Sequence, residues 1–107
     1  MDKISLGTLN SYYGGLLTNR QREIVSLYSD RDMTLQEIGE ELGTTRQAAS
    51  DILGRAERKL AGYEKKLGLT EKIKIVAIEL ENAIEKAEKG KNIVLDLKKI
   101  LEEAREI

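Results

Sequence analysis

The sequence predicts an all-α protein: a trihelical core containing a helix-turn-helix, a long recognition helix, and a C-terminal antiparallel helical hairpin. Three observations predict it. Proline is absent and charged residues make up 35% of the chain, so nothing interrupts a helical ladder and straight-chain charged side chains lose little rotamer freedom in it. Apolar residues recur at three- and four-residue spacing along most of the chain. Threonines followed three residues later by Glu or Gln, and glycines after apolar runs, mark where helices start and stop.

Residues 5–17 place Leu6, Leu9, Tyr13, Leu16 and Leu17 on one helical face, weakened by Gly14 and Gly15. Thr18 with Gln21 is a capping box for a second helix, whose apolar face is Ile24, Val25, Leu27 and Tyr28. Ser29-Asp30-Arg31-Asp32 ends it. Thr34 with Glu37 opens a third helix that carries Leu35, Ile38 and Leu42 inward, with Gly39 between them and Gly43 at the left-handed stop. Thr45 caps the next helix. Its stripe is Ala49, Leu53, Ala56, Leu60, Tyr63 and Leu67, about six turns at 3.6 residues per turn. A helix that long outlasts a trihelical core, so its second half is expected to extend away or to pack on the next helix.

Gly68 ends that helix, dividing the chain into a helix-turn-helix domain over 1–67 and a hairpin over 68–107. Thr70 opens a helix to about Lys89, with Ile73, Val76, Ala77, Leu80, Ala83, Ile84 and Ala87 on one face. After a connector at Lys89-Gly90-Lys91-Asn92, the last helix is expected to bury Ile93, Leu97, Ile100, Leu101 and Ala104. So short a connection makes the two helices antiparallel neighbours. Ile75, Ile78 and Val94 broaden the apolar surface, so the hairpin is open to packing within the monomer or in a homodimer.

The composition narrows the chemistry. Cysteine and histidine are both absent, which removes thiolate nucleophiles, disulfides, the usual general base and the commonest transition-metal ligands. The acidic residues show no EF-hand spacing. A binding or regulatory protein without a cofactor is expected rather than an enzyme. No basic-then-apolar leader opens the sequence and no run approaches ~18 apolar residues, so a cytoplasmic protein with no membrane span is expected.

The net charge of −1 argues against a globally basic nucleic-acid binder, but the charge is unevenly placed. Residues 18–43 carry three positive and six negative charges, whereas residues 44–67 carry six positive and three negative. The sign reverses at the turn before the recognition helix.

The unit that bears function lies at residues 34–60. A helix-turn-helix needs a small residue where its helices cross and a glycine in its turn. Gly39 and Gly43 supply them, and Ile38, Leu42, Ala49 and Leu53 supply buried aliphatics. Thr44 stands where an apolar residue often plugs the turn. With that face inward, Thr45, Arg46, Gln47, Ser50 and Gly54 point outward from the first turns. A helix N-terminus favours phosphate, and Arg and Gln can contact guanine and adenine edges at two points. Arg55, Arg58 and Lys59 lie farther along, in reach of backbone phosphates. The candidate nucleic-acid-binding set is therefore Thr45, Arg46, Gln47, Ser50, Arg55, Arg58 and Lys59. Asp51 and Glu57 lie close by and repel phosphate. Tyr13 and Tyr28 could stack on single-stranded RNA, but on helical faces they read as core.

Tyr12-Tyr13-Gly-Gly-Leu-Leu-Thr-Asn-Arg-Gln, Leu27-Tyr28, Asp30–Asp32 and Thr34-Leu-Gln-Glu-Ile-Gly-Glu-Glu-Leu resemble the YlxM-like family of small bacterial proteins. So do Thr45-Arg-Gln-Ala, Asp51, Arg55, Glu57, Leu60, Tyr63, Glu64, Lys66 and Leu67. The resemblance covers about residues 8–69. It implies a helix-turn-helix similar to region 4 of sigma factors. It also implies a regulatory accessory role with the signal recognition particle, its GTPase and its small RNA. Two departures thin the contact surface: Ala49 and Ser50 stand where the family often carries an aromatic, and Gly54 stands where a basic residue is usual. The expected partners are thus particle RNA or duplex DNA and the particle's GTPase, while a second copy of the chain stays open from the apolar stripe of the hairpin. The competing readings are a sigma-like DNA-binding transcriptional regulator and a structural helical partner.

Overall fold

Asp2 starts the first helix, α1 (Lys3–Tyr13), by accepting the Ser5 amide at 2.8 Å. The computed structural model describes residues 1–107, all-helical in its regular structure. The further helices are α2 (Asn19–Ser29), α3 (Leu35–Leu42), α4 (Arg46–Leu67), α5 (Leu69–Glu88) and α6 (Val94–Arg105). Two compact units, Met1–Leu67 and Gly68–Ile107, divide the chain. No helix is long and apolar enough to cross a membrane.

In the first unit the expected single helix over 5–17 does not form. α1 stops at Tyr13, Gly14–Leu16 is one 3-10 turn, and Leu17 is extended at φ −90° and ψ 161°. Two adjacent glycines gain little from helix formation, and the extended residue turns Leu17 into the core while Leu16 faces solvent. Both capping boxes are formed. The Thr18 hydroxyl accepts from the Gln21 amide and the Thr34 hydroxyl from the Glu37 amide, each at 3.1 Å, and both N3 side chains accept from the cap amides.

The core is aliphatic: Leu6 and Leu9 of α1, Ile24 and Val25 of α2, Ile38 of α3, and Ala49, Leu53, Ala56 and Leu60 of α4. Leu35 and Leu42 are only half-buried. In a helix as short as α3, the sealed positions are Ile38 and Gly39, which face α4. The stripe of α4 is sealed as far as Leu60. Beyond it Tyr63 is half-buried and Leu67 is exposed. The far half of α4 is nevertheless held inside this unit. The Tyr63 hydroxyl donates to the Leu16 carbonyl at 3.3 Å, and the rings of Tyr13 and Tyr63 lie 6.1 Å apart. Tyr13 is core, and no stacking platform is left of it.

The second unit is an antiparallel hairpin with a narrow seam. Gly68 at φ 60° precedes α5, and the Asn92 side chain accepts from the Val94 amide at 3.0 Å to open α6. Only Ala83 and Ile100 are buried, with Val76, Glu79, Asp96 and Glu103 half-buried beside them. Leu80, Ile84, Leu97 and Leu101 were expected inside and are exposed, as are Ala77, Ala87 and Ala104. Two helices in contact hide one strip of each, and the apolar arc here is wider than that strip. Lys86 pairs with Asp96 at 3.2 Å along one edge of the seam. On the same edge, the Glu79 carboxyl beside Glu103 raises the Glu103 pKa above the ordinary value.

Candidate nucleic-acid interface

The candidate interface is built on one close crossing. A Cβ on Gly39 would stand 3.0 Å from the Thr44 carbonyl oxygen and 3.1 Å from the Arg46 nitrogen, so α3 meets the start of α4 backbone to backbone. Gly43 takes the left-handed conformation, φ 67° and ψ 32°, that glycine adopts without steric cost. The Thr44 side chain does not plug this turn, because Thr44 is exposed. The turn is closed instead by its amide, which donates to the Gly39 carbonyl at 2.8 Å. Gly39 leaves no room there for a plugging side chain.

From this crossing α4 presents its cations to solvent. Thr45, Arg46, Gln47, Arg55, Arg58 and Lys59 are exposed and Ser50 is half-buried. Two of these side chains already have local partners. The Thr45 hydroxyl accepts the Ala48 amide at 3.0 Å as the helix cap, and Gln47 Nε2 donates to Asp51 Oδ1 at 2.9 Å. Thr45 is thus a capping residue first, and Gln47 must leave Asp51 before it can reach a base.

The expected site residues do not form one patch. At about 100° per residue, Gln47, Asp51, Gly54 and Arg58 run along the crest of α4 opposite the buried stripe, with Ser50 and Arg55 on its shoulders. Arg46 turns to one flank, into a groove lined by Thr34, Leu35 and Gln36 at the start of α3 and by Lys3 and Tyr28. On the other flank Arg55, Arg58 and Lys59 share a groove with Gln21, at the start of α2. Lys59 Nζ donates to Gln21 Oε1 at 3.3 Å. The crest is therefore flanked on each side by a groove that holds cations and a helix N-terminus.

Lys3 and Gln21 enter the site from outside the motif. Gln21 was legible as a capping residue but not as a wall of the groove. Nothing local marked Lys3, which α1 carries across the unit. Its ammonium lies 4.5 Å from the centre of the Tyr28 ring and is paired with Asp32, which raises the Lys3 pKa and lowers that of Asp32. Asp32 itself sits at φ 52° in the turn after α2. Much of the Lys3 charge is thereby neutralised within the fold. Glu57 is paired with the Met1 ammonium at 3.1 Å, which reduces the repulsion expected from that carboxylate.

A bare glycine at the crossing, a left-handed glycine in the turn and a long second helix define a helix-turn-helix protein. The chain belongs to the family described as "Putative helix-turn-helix protein, YlxM / p13 like", which matches residues 1–101 and so runs on through most of the hairpin. It is 43% identical to a UPF0122 protein of Desulforamulus reducens, over 98% of this chain and 96% of that one. It is 40% identical to a UPF0122 protein of Thermoanaerobacter sp., over 99% and 93%. It is 33% identical to a UPF0122 protein of Clostridium perfringens, over 98% and 94%.

Proposed function

We propose that the chain is a non-enzymatic regulatory protein that binds nucleic acid through the crest and flanks of α4. The observation that carries this reading is the placement of cations on both sides of one protruding helix. A helix laid in a nucleic-acid groove meets a phosphate strand on either side. Here Arg46 stands on one flank, Arg55 and Lys59 stand on the other, and the N-termini of α3 and α2 add their partial positive charge. Phosphate contacts of this kind position the protein and carry little sequence information.

The resemblance to YlxM-like proteins supports the signal recognition particle as the setting, with its small RNA as the ligand and its GTPase as the further partner. The crest favours such a shape-driven ligand over sequence reading. Gln47 is engaged by Asp51, Gly54 offers no side chain, and only Arg58 remains as a long donor. The second reading is a sigma-like regulator of duplex DNA, favoured by the close crossing at Gly39 and the exposed first turn of α4.

Fluorescence anisotropy of labelled particle RNA and of random duplex DNA, at low and physiological salt, separates the two. The expected result is tighter binding of the RNA, lost in an Arg46→Ala, Arg58→Glu double variant that keeps its melting temperature. Equal affinity in wild type and double variant would remove this face from the function. Preference for a particular duplex sequence would establish the second reading.

A further inference from the structure

We infer that the exposed apolar face of the hairpin is a homodimer interface, on which two copies of Gly68–Ile107 build a four-helix bundle. This does not rest on the nucleic-acid reading.

The hairpin alone lacks a core. Among its forty residues only Ala83 and Ile100 are buried, whereas Leu80, Ile84, Leu97 and Leu101 are exposed by 40%, 57%, 43% and 50%. Units below about 40 residues need a disulfide, a metal or a partner to be stable. Cysteine and histidine are absent. What is left is another protein surface packed on the exposed face.

The two helices repeat one pattern around their circumference. Taking the seam residues Ala83 and Ile100 as zero, a step of about 100° per residue places Leu80 and Leu97 at about 60° and Ile84 and Leu101 at about 100°. Glu88 and Glu81 follow on α5 at about 140° and 160°, and Arg105 and Lys98 hold the same angles on α6. On the opposite side of the seam run the Lys86–Asp96 ion pair and the Glu79–Glu103 contact. In antiparallel helices equal rotations from the seam fall on the same side. The four large apolar residues therefore make one continuous face, bordered by Glu81 and Glu88 along α5 and by Lys98 and Arg105 along α6.

That border selects the occupant. A two-fold axis parallel to the helices sets α5 of one copy beside α6 of the other, and the same rotation brings Glu81 and Glu88 against Lys98 and Arg105 of the partner. Lys86 faces Asp96 within one hairpin, so residue numbers at one height sum to about 182. Glu81 then lies between Lys98 and Arg105, within about three to four residues of each, roughly 5 Å along the axis. The surface complements itself in charge, as an isologous contact must. The twelve residues of α6 give a face about 18 Å long and two helices wide, roughly 400 Å² in projection. With its flanking charges this approaches the ~1,000 Å² total of a weak specific interface, so a dissociation constant on the order of micromolar is expected.

Sedimentation velocity of the full chain, at concentrations on either side of a micromolar constant, tests the inference. The expected result is a rise from 12.0 kDa to twice that mass. Leu101→Glu should abolish the rise. The pair Glu81→Lys and Glu88→Lys changes only exposed side chains and should weaken the dimer about tenfold. Adding Lys98→Glu and Arg105→Glu to that pair should restore it. A monomer at every concentration overturns the inference, as does a dimer indifferent to Leu101→Glu. A dimer that needs Leu101 but ignores the charge swaps overturns the pairing of α5 with the partner's α6.

Discussion

The Tyr13 hydroxyl donates to Glu64 Oε1 at 2.8 Å, joining the end of α1 to the last third of α4 across 51 positions of sequence. With the tilted contact between the Tyr13 and Tyr63 rings, this bond holds a stretch of α4 whose apolar stripe has already opened to solvent. Tyr13→Phe keeps the ring and removes the bond, and is expected to cost about 1 kcal/mol because the site is partly solvated. Urea unfolding checks it. Hydrogen exchange should quicken first at the amides around Glu64, and uniform protection would show that packing alone anchors this end.

Gly39 and Gly62 are expected to respond to alanine with opposite signs. At Gly39 the new methyl meets rigid backbone at 3.0–3.1 Å, and the loss should be about 1–3 kcal/mol with the crossing forced open. At Gly62, within α4, nothing lies within 4 Å of the new methyl, and higher helix propensity should stabilise by up to about 1 kcal/mol. Melting temperatures of the two variants decide it. Leu53→Ala, inside the same interface, should cost about 2–5 kcal/mol through the cavity it leaves.

Gly54→Lys places a cation on the bare crest between Gln47 and Arg58. A Cβ there meets only the end of the Arg58 side chain at 3.4 Å, ordinary contact distance. Nucleic-acid affinity should rise, and the slope of log K against log salt should steepen by about 0.9 for duplex DNA or about 0.7 for a single strand. Arg58→Glu should shift the slope the other way. Titrations at four or five salt concentrations read both.

The hairpin should be more stable in acid than at neutral pH. Glu103 has its pKa raised by Glu79, with Lys99 opposing and with Lys72 and Glu106 lining the neighbouring cavity. A carboxyl whose folded pKa is raised stabilises the fold below its ordinary pKa, and that contribution disappears as pH rises through the raised value. Glu103→Gln should flatten the profile on the acid side of neutrality. Amide exchange in α5 and α6, followed from about pH 4 to 7 around the ordinary Glu pKa, tests it. An unchanged profile would show that Glu103 titrates like a solvated carboxyl.

Apart from the break at Gly14–Leu17, the helix positions, both capping boxes and the helix-turn-helix glycines were legible in the sequence because each is set within four residues of itself. Thr18 reaches only Gln21, Thr34 only Glu37, and Gly43 takes its left-handed turn by itself. What lay beyond was the facing of side chains that depend on a neighbour. The stripe of α5 was readable, but not that a single partner helix would leave Leu80 and Ile84 uncovered. The seven candidate contacts were readable as outward positions, but not their division between a crest and two flanks.

Local chemistry in this chain therefore determined which segments coil, where all but the first stop and which residue types each face carries. Tertiary structure alone decided that Lys3 and Gln21 wall the two grooves and that Tyr13 ties down the far half of α4. The physical reason is range. Caps and helical periodicity act over one turn, whereas burial and charge pairing depend on which distant surface arrives, and helical periodicity is the same whether a face meets protein or water.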